Sequence, residues 1–113
     1  MGTNYYAFGP HKGKKADRVG LHIGKKSAGW KFLFRAHPNL QLTSLEQWVG
    51  YLSRPDVEVS DEYGAEIDLT EMVTTMTEKE GPDGTPVRGH SEYQDGKDRY
   101  AHNGFDFSTQ DFF

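Results

Sequence analysis

The fold of this chain is organised around the stretch Leu21-His-Ile-Gly-Lys-Lys-Ser-Ala-Gly-Trp-Lys-Phe-Leu-Phe-Arg-Ala36. Apolar residues alternate with other residues on both sides of a central six-residue segment. A period of two is typical of strands that bury one face, so we predict a β-hairpin. The residues expected on its buried face are Val19, Leu21 and Ile23 in the first strand and Trp30, Phe32 and Phe34 in the second.

The central segment, Gly24-Lys-Lys-Ser-Ala-Gly29, is predicted to be the connection of this hairpin. Glycine accepts positive φ at no steric cost, which suits both ends of a turn. Two interpretations follow. In one, the loop binds an anion through backbone N–H groups and two ammonium groups. In the other, it is a long solvated turn. It is not a Walker A loop, because both lysines precede the second glycine.

Composition indicates one small domain. A chain of 113 residues with 13% aromatic residues can bury a single core, so we expect one domain over 1–113. No apolar window is long enough for a transmembrane helix, and the first residues lack the pattern of a signal peptide. There are no cysteines, which fits a reducing cytoplasm and excludes disulfides and thiolate metal sites.

Charge is divided unevenly along the chain. Residues 1–43 contain eight Lys/Arg and one acid, a net +7, whereas residues 44–113 contain five Lys/Arg and sixteen acids, a net −11. This split suggests a surface with a basic hairpin region and an acidic remainder. The alternative is that the two halves intermix in the fold and their charges pair.

Other segments complete an α+β prediction. Strands are expected at 2–8, 57–60 and 65–67 and near Phe105 and Phe107, and a mobile polar loop at 80–98. Two helices are indicated by capping pairs followed by apolar residues at i, i+3, i+4 and i+7: Thr43 and Glu46 with Leu45, Trp48, Val49 and Leu52, then Asp68 and Glu71 with Leu69, Met72, Val73 and Met76. The predicted fold is a small antiparallel twisted sheet of four to six strands with two short capped helices on one face.

The basic side of the hairpin supplies the predicted ligand-binding set. His22, Lys31, Leu33 and Arg35 alternate opposite the apolar face, and Leu33 indicates that this second face is partly covered. Trp30 either stacks on a base or anchors its strand. The predicted set is His22, Gly24, Lys25, Lys26, Ser27, Gly29, Trp30 and Lys31.

Neither a catalytic site nor a metal site is predicted. His11, His90 and His102 are isolated histidines, and two imidazoles make only half of a metal site. The acids between Asp56 and Asp68 alternate with apolar residues, which favours a solvated face over a hard-metal site. No cofactor is expected.

The chain resembles a family of small, largely uncharacterised tailed-phage and prophage proteins. The blocks that carry the resemblance are Met1-Gly-Thr-Asn-Tyr-Tyr6, Leu21-His-Ile-Gly-Lys-Lys-Ser-Ala-Gly-Trp30, Asp61-Glu-Tyr-Gly64 and His102-Asn-Gly-Phe-Asp-Phe107. Many members carry a Cys-Pro-x-Cys-Gly element before the hairpin, which implies bound zinc. Here the corresponding stretch is Gly9-Pro-His-Lys-Gly13, without either cysteine, so only His11 remains as a ligand. The resemblance implies an accessory protein that acts in the host cytoplasm and raises the weight of the anion-binding interpretation.

Three functions are therefore open at this point. The first is a non-enzymatic binder whose basic hairpin engages an anionic ligand (a nucleotide or a nucleic-acid backbone) or a host factor. The second is a protein–protein inhibitor, for counter-defence or host takeover, that uses the acidic residues of 56–71, above all Glu58, Glu62 and Glu66. The third is a small hydrolase or nuclease that depends on His22, His90 or His102.

Overall fold

The computed structural model describes residues 2–9, 20–81, 84–87, 99–110 and 112. Within them the fold is α+β, as predicted, with seven strands and two α-helices. The strands are β1 (Gly2–Phe8), β2 (Leu21–Ser27), β3 (Leu33–Arg35), β4 (Glu58–Asp61), β5 (Glu66–Ile67), β6 (Arg99–His102) and β7 (Phe105–Ser108). The helices are α1 (Leu45–Leu52) and α2 (Leu69–Met76), and a 3₁₀ turn spans Pro38–Leu40.

The strands form one sheet in the order β5-β4-β1-β2-β3-β7-β6. Every pair is antiparallel except β3 and β7, which are parallel. The backbone N of Ala36 extends the parallel pair by donating to the Ser108 carbonyl at 2.7 Å. The sheet is therefore mostly antiparallel, as predicted, but it has seven strands where four to six were predicted, and one of its pairs is parallel. The strand not foreseen is β6, which pairs with β7 through the two-residue turn Asn103-Gly104.

A β-bulge in β2 decides which side chains point to which face. Tyr5 pairs with Gly24 and Tyr6 with His22, so Ile23 is an extra residue opposite β1. A bulge of this kind breaks the strict alternation of the strand. Ile23 and Gly24 are both buried on the core side, whereas His22 lies beside Asn4 and Tyr6 on the opposite face.

The hydrophobic core lies between the sheet and the two helices. Its buried members are Ala7, Ile23, Phe32, Phe34, Ala36, Leu42, Trp48, Leu52, Val59, Met72, Met76 and Phe107. The rings of Tyr100, Phe107 and Phe34 stack across three neighbouring strands, with centroid distances of 5.1 and 4.7 Å. Trp30, which was expected on the same buried face as Phe32, is only partly buried.

Both helices begin at capped residues, as predicted, although the first cap is displaced by one position. Asp68 Oδ1 accepts from the Glu71 backbone N at 2.8 Å. At α1 the N-cap is Ser44 and not Thr43: Ser44 Oγ accepts from the Gln47 backbone N at 3.2 Å. Gln47 Oε1 in turn accepts from the backbone N of Thr43, the residue before the N-cap, at 2.7 Å, so the side chain that reaches back from the first turn is Gln47 and not Glu46.

In the described part of the predicted 80–98 loop, residues 84–87 pair back with residues 79–81. Glu80 bridges Pro86, Gly84 has a φ of 82°, and the Val87 backbone N donates to the Lys79 carbonyl at 3.0 Å. Val87 is 8% exposed. The rest of that prediction, at 82–83 and 88–98, lies outside the described residues, as do His11 and His90. No helix among the described residues is long and apolar enough to cross a membrane.

Candidate ligand-binding cleft

The segment predicted to be a six-residue loop is mostly strand. β2 continues through Ser27, which pairs with Gly2, and the turn is reduced to Ala28 and Gly29. Of the two glycines expected to adopt positive φ, Gly29 does so, with a φ of 81°. Gly24 is instead an interior strand residue. A Cβ atom there would lie 2.3 Å from both the Leu33 carbonyl oxygen and the Phe32 ring, so close packing requires glycine at this position.

Lys26 is part of the hairpin's own structure. Its Nζ donates to the carbonyl oxygens of Ser27 at 3.1 Å and Trp30 at 2.7 Å, which closes the turn. The same ammonium lies 2.9 Å from Glu78 Oε1, just beyond the end of α2, and the Lys26 side chain is only 14% exposed. Charge-assisted hydrogen bonds of this kind contribute to stability. The interpretation of residues 24–29 as a long solvated turn therefore does not fit Lys26.

His22 and Lys25 lie on the second face, which is the sheet face opposite the helices. His22 Nε2 lies 2.8 Å from Asn4 Oδ1, and because an amide oxygen only accepts, Nε2 carries the proton. Asn4 is fixed in turn by Glu62, whose Oε1 accepts from its backbone N at 2.7 Å and from its Nδ2 at 3.3 Å. The His22 ring packs between Tyr6 and Phe112. These contacts give His22 a structural role.

The second face is largely covered, as the position of Leu33 predicted. Leu33 and Asp106 pair across β3 and β7 and are 5% and 3% exposed. Burial raises the pKa of the Tyr6 hydroxyl above its ordinary value, and the nearby Glu62 carboxylate raises it further. Tyr6 therefore stays neutral at physiological pH. This face is built from hydrogen-bonded and stacked groups that hold β1 to β2.

Lys31 lies elsewhere and lines a cleft of about 350 Å³ at the end of the hairpin. Four segments meet there: the residues before β3, the end of α2 with the residues that follow it, residues 86–87, and the β6–β7 turn with the start of β7. The lining residues are Lys31, Met76, Glu78, Lys79, Pro86, Val87, Asn103, Gly104 and Phe105. Lys31 Nζ donates to the Gly104 carbonyl at 3.0 Å, which ties the hairpin to the β6–β7 turn and fixes the ammonium at the rim.

The cleft combines an apolar floor with a charged rim. Met76 and Val87 are buried, and the Phe105 ring packs edge-on against Phe34 at 6.1 Å, so the floor is held in place. Lys31 and Lys79 supply positive charge, while the negative charge of Glu78 is offset by its ion pair with Lys26. The described lining thus holds two ammonium groups and one ion-paired carboxylate next to apolar surface.

The predicted ligand-binding set is therefore divided by the fold. Lys31 lines the cleft, Lys26 acts on it through Glu78, and His22 and Lys25 lie on the second face. Sequence reasoning missed Lys79, Asn103 and the apolar floor. The dipeptide Asn103-Gly104 is a strong hairpin signal and could have revealed the β6–β7 turn. Both residues have positive φ, 51° and 84°.

Among the described residues, no three His, Asp or Glu side chains are grouped so that they could hold a metal ion. His102 is exposed in β6. Comparison of the chain with models of protein families, with curated proteins and with solved structures found no match.

Proposed function

We propose that this protein is a non-enzymatic binding protein that takes an anionic ligand in the cleft between the β2–β3 hairpin and the β6–β7 turn. The observation that carries the proposal is that two lysines, Lys31 and Lys79, line the same cleft as an apolar floor. The floor is formed by Met76, Val87 and Phe105. In line with the resemblance to tailed-phage proteins, the proposed setting is the cytoplasm of an infected host, where the protein serves as an accessory factor.

The size and lining of the cleft support a ligand site. Its volume of about 350 Å³ falls within the range of about 300–1,000 Å³ that is typical of small-molecule pockets. Such pockets are mostly apolar, with a few polar groups that fix the ligand's orientation. Here the polar groups are two ammonium groups, one ion-paired carboxylate and the turn residues Asn103 and Gly104.

The charge of the lining supports an anion. Lysine binds phosphate and carboxylate as a compact point charge, and the strength of such contacts rises as water is excluded. Glu78 alone would oppose an anion, but Lys26 Nζ at 2.9 Å from its Oε1 offsets part of its charge. Lys26 thus favours anion binding through its ion pair with Glu78, without contacting the ligand itself.

The double substitution Lys31→Met with Lys79→Met should weaken anion binding by about tenfold or more, because each ammonium removed deletes a charge-assisted contact. Methionine keeps the length and apolar stem of each side chain. The measurement is calorimetric titration of the purified protein with thymidine 5′-monophosphate and with inorganic phosphate.

The matched control is Lys25→Met, which removes one positive charge from the second face, away from the cleft. It should leave the affinity within about twofold. If the control, which removes one charge, loses about half as much binding free energy as the double variant, which removes two, the anion responds only to the net charge of the protein and the cleft has no part in binding.

A second candidate, the protein–protein inhibitor, is favoured by the opposite edge of the sheet. Tyr63 is 76% exposed at the tip of the β4–β5 turn, where Asp61 Oδ1 accepts from the backbone N atoms of Tyr63 and Ala65, both at 2.9 Å. Beside it, Glu58 and Glu66 line a groove of about 230 Å³. An exposed, pre-organised tyrosine among acids suits a basic protein partner.

For this second candidate, Glu58→Lys with Glu66→Lys should weaken binding of a synthetic octa-arginine peptide about fivefold or more and should reduce its salt dependence. Glu62 is left unchanged because its carboxylate holds Asn4, so reversing its charge would disturb the fold. The control is Glu46→Lys with Glu71→Lys, an equal charge change at exposed positions of α1 and α2. Equal weakening by both pairs would eliminate the acidic edge as a specific site.

A further inference from the structure

We infer that the cleft is selective for a small organic anion, one compact anionic group on a flat apolar ring, and not for a nucleic-acid strand. This inference rests on the proposed function and specifies its ligand class. It follows from three properties of the cleft: its limited extent, the arrangement of its charged and apolar walls, and the position of Glu78.

The extent of the cleft fits one small molecule. A site for single-stranded nucleic acid is a groove that follows several successive phosphates along a positively charged track and offers aromatic rings for successive bases. Among the described residues, its lining includes one aromatic ring, that of Phe105, and two lysines. The segment that follows α2 carries Glu78 and Glu80, which would repel a phosphate chain continuing past the cleft along that wall.

The walls match a ring with an anionic substituent. Met76, Val87 and Phe105 offer apolar surface, and the Phe105 ring cannot turn freely because it packs edge-on against Phe34. Lys31 is held at the rim by the Gly104 carbonyl, and Lys79 also lines the cleft. A ring on the floor would therefore place its anionic group near lysine side chains of the lining.

Glu78 limits the number of anionic groups that a ligand in the cleft can carry. Its side chain is 37% exposed and its carboxylate is ion-paired with Lys26, so it lines the cleft as a negative group whose charge is only partly offset. A ligand with one anionic group can lie toward the two lysines, whereas a ligand with several would bring one of them against this carboxylate. Glu78 thus discriminates against polyanions.

The first test is Glu78→Gln. Removing the negative charge should raise the affinity for thymidine 5′-monophosphate about three- to tenfold, and relatively more for the more highly charged thymidine 5′-triphosphate. The control is Glu66→Gln, the same change at the opposite edge of the sheet, which should alter neither affinity by more than about twofold. A lower affinity in Glu78→Gln would mean that this carboxylate favours ligand binding and does not oppose it, and the inference would fail.

The second test compares ligands on the wild-type protein by calorimetry. Thymidine 5′-monophosphate should bind at least about tenfold more tightly than either thymidine or inorganic phosphate alone, because it contacts both rim and floor. An eight-residue oligothymidylate should bind no more tightly than the monophosphate. Indole-3-acetate, a ring with a carboxylate, shows whether the cleft prefers phosphate or binds ring anions in general. Binding of the monophosphate alone and binding of both compounds each fit the inference.

The results of these titrations test the ligand class and the proposed anion binding separately. If the oligothymidylate binds more tightly, with a steep salt dependence, the ligand is a nucleic-acid strand: the inference fails and the proposed anion binding stands. If thymidine binds as well as its monophosphate, the lysines are irrelevant and both fail. If neither these anions nor inorganic phosphate bind at millimolar concentration, the proposed function itself is contradicted.

Discussion

Replacing Trp48 by alanine should lower the free energy of unfolding by about 3–5 kcal/mol, the largest effect expected of a single substitution in this chain. Trp48 is fully buried in α1, and its indole packs edge-on against His37 and Tyr51 at 5.8 and 6.0 Å. Its Nε1 donates to the Arg35 carbonyl at 3.2 Å. Alanine would leave a cavity. It would also remove the hydrogen bond that the indole N–H donates to the Arg35 carbonyl at the end of β3.

The measurement is chemical denaturation, supported by a melting-temperature decrease of roughly 10–25 °C. Trp48→Phe separates the two contributions, because phenylalanine fills part of the space but cannot donate. It should cost clearly less than alanine. A loss below about 1 kcal/mol for Trp48→Ala would show that α1 does not close the core against the sheet as described.

Gly24→Ala should destabilise the protein by about 2–3 kcal/mol, although it adds a single methyl group. The new Cβ would lie 2.3 Å from the Leu33 carbonyl oxygen and from the Phe32 ring. The first of these is backbone, paired between β2 and β3. The strands would have to separate to admit the methyl group, so the clash cannot be relieved by rotating a side chain.

Gly50→Ala is the matched control in the same protein. Gly50 lies inside α1, is exposed, and has open space where a Cβ would be placed. There alanine should raise stability by about 0.5–1 kcal/mol, since glycine is the poorer helix former. Opposite signs at the two positions are expected from urea unfolding. If Gly24→Ala is also neutral or stabilising, Gly24 lies in a flexible turn and β2 does not continue through it.

Local sequence patterns predicted the helices and strands that are specified by residues within the same element. The α2 stripe of Met72 and Met76 and its Asp68 cap were confirmed, as was the burial of Trp48 and Leu52 in α1. Strand β1 and the alternation that buries Phe34 were also confirmed. These features depend on residues three or four positions apart, or on alternate residues.

The features that were missed depend on distant pairing. β2 extends through Ser27 because Gly2 pairs with it from a different part of the chain, and that pairing outweighs the turn preference of the Gly-Lys-Lys-Ser-Ala-Gly segment. The bulge at Ile23 is likewise visible only against β1. The parallel pairing of β3 with β7 joins residues more than seventy positions apart.

The candidate cleft could be predicted only in part. Lys31 was identified from the basic side of the hairpin, and the fold then placed Lys79, Val87 and Phe105 beside it. These residues come from three other segments with no shared motif. The separation of Lys25 from Lys26 has a simpler cause, since neighbouring residues of a strand point to opposite faces.

The central claim, that the cleft between the hairpin and the β6–β7 turn takes a small anion, is tested most directly by methyl NMR. Methyl groups of methionine and valine would be labelled and followed during titration with thymidine 5′-monophosphate. Met76 and Val87 lie in the cleft, whereas Val59 lines the groove at the acidic edge and serves as the internal control. The account predicts saturable shifts at Met76 and Val87 and none at Val59. Saturable shifts at Val59 with Met76 and Val87 unmoved would contradict it.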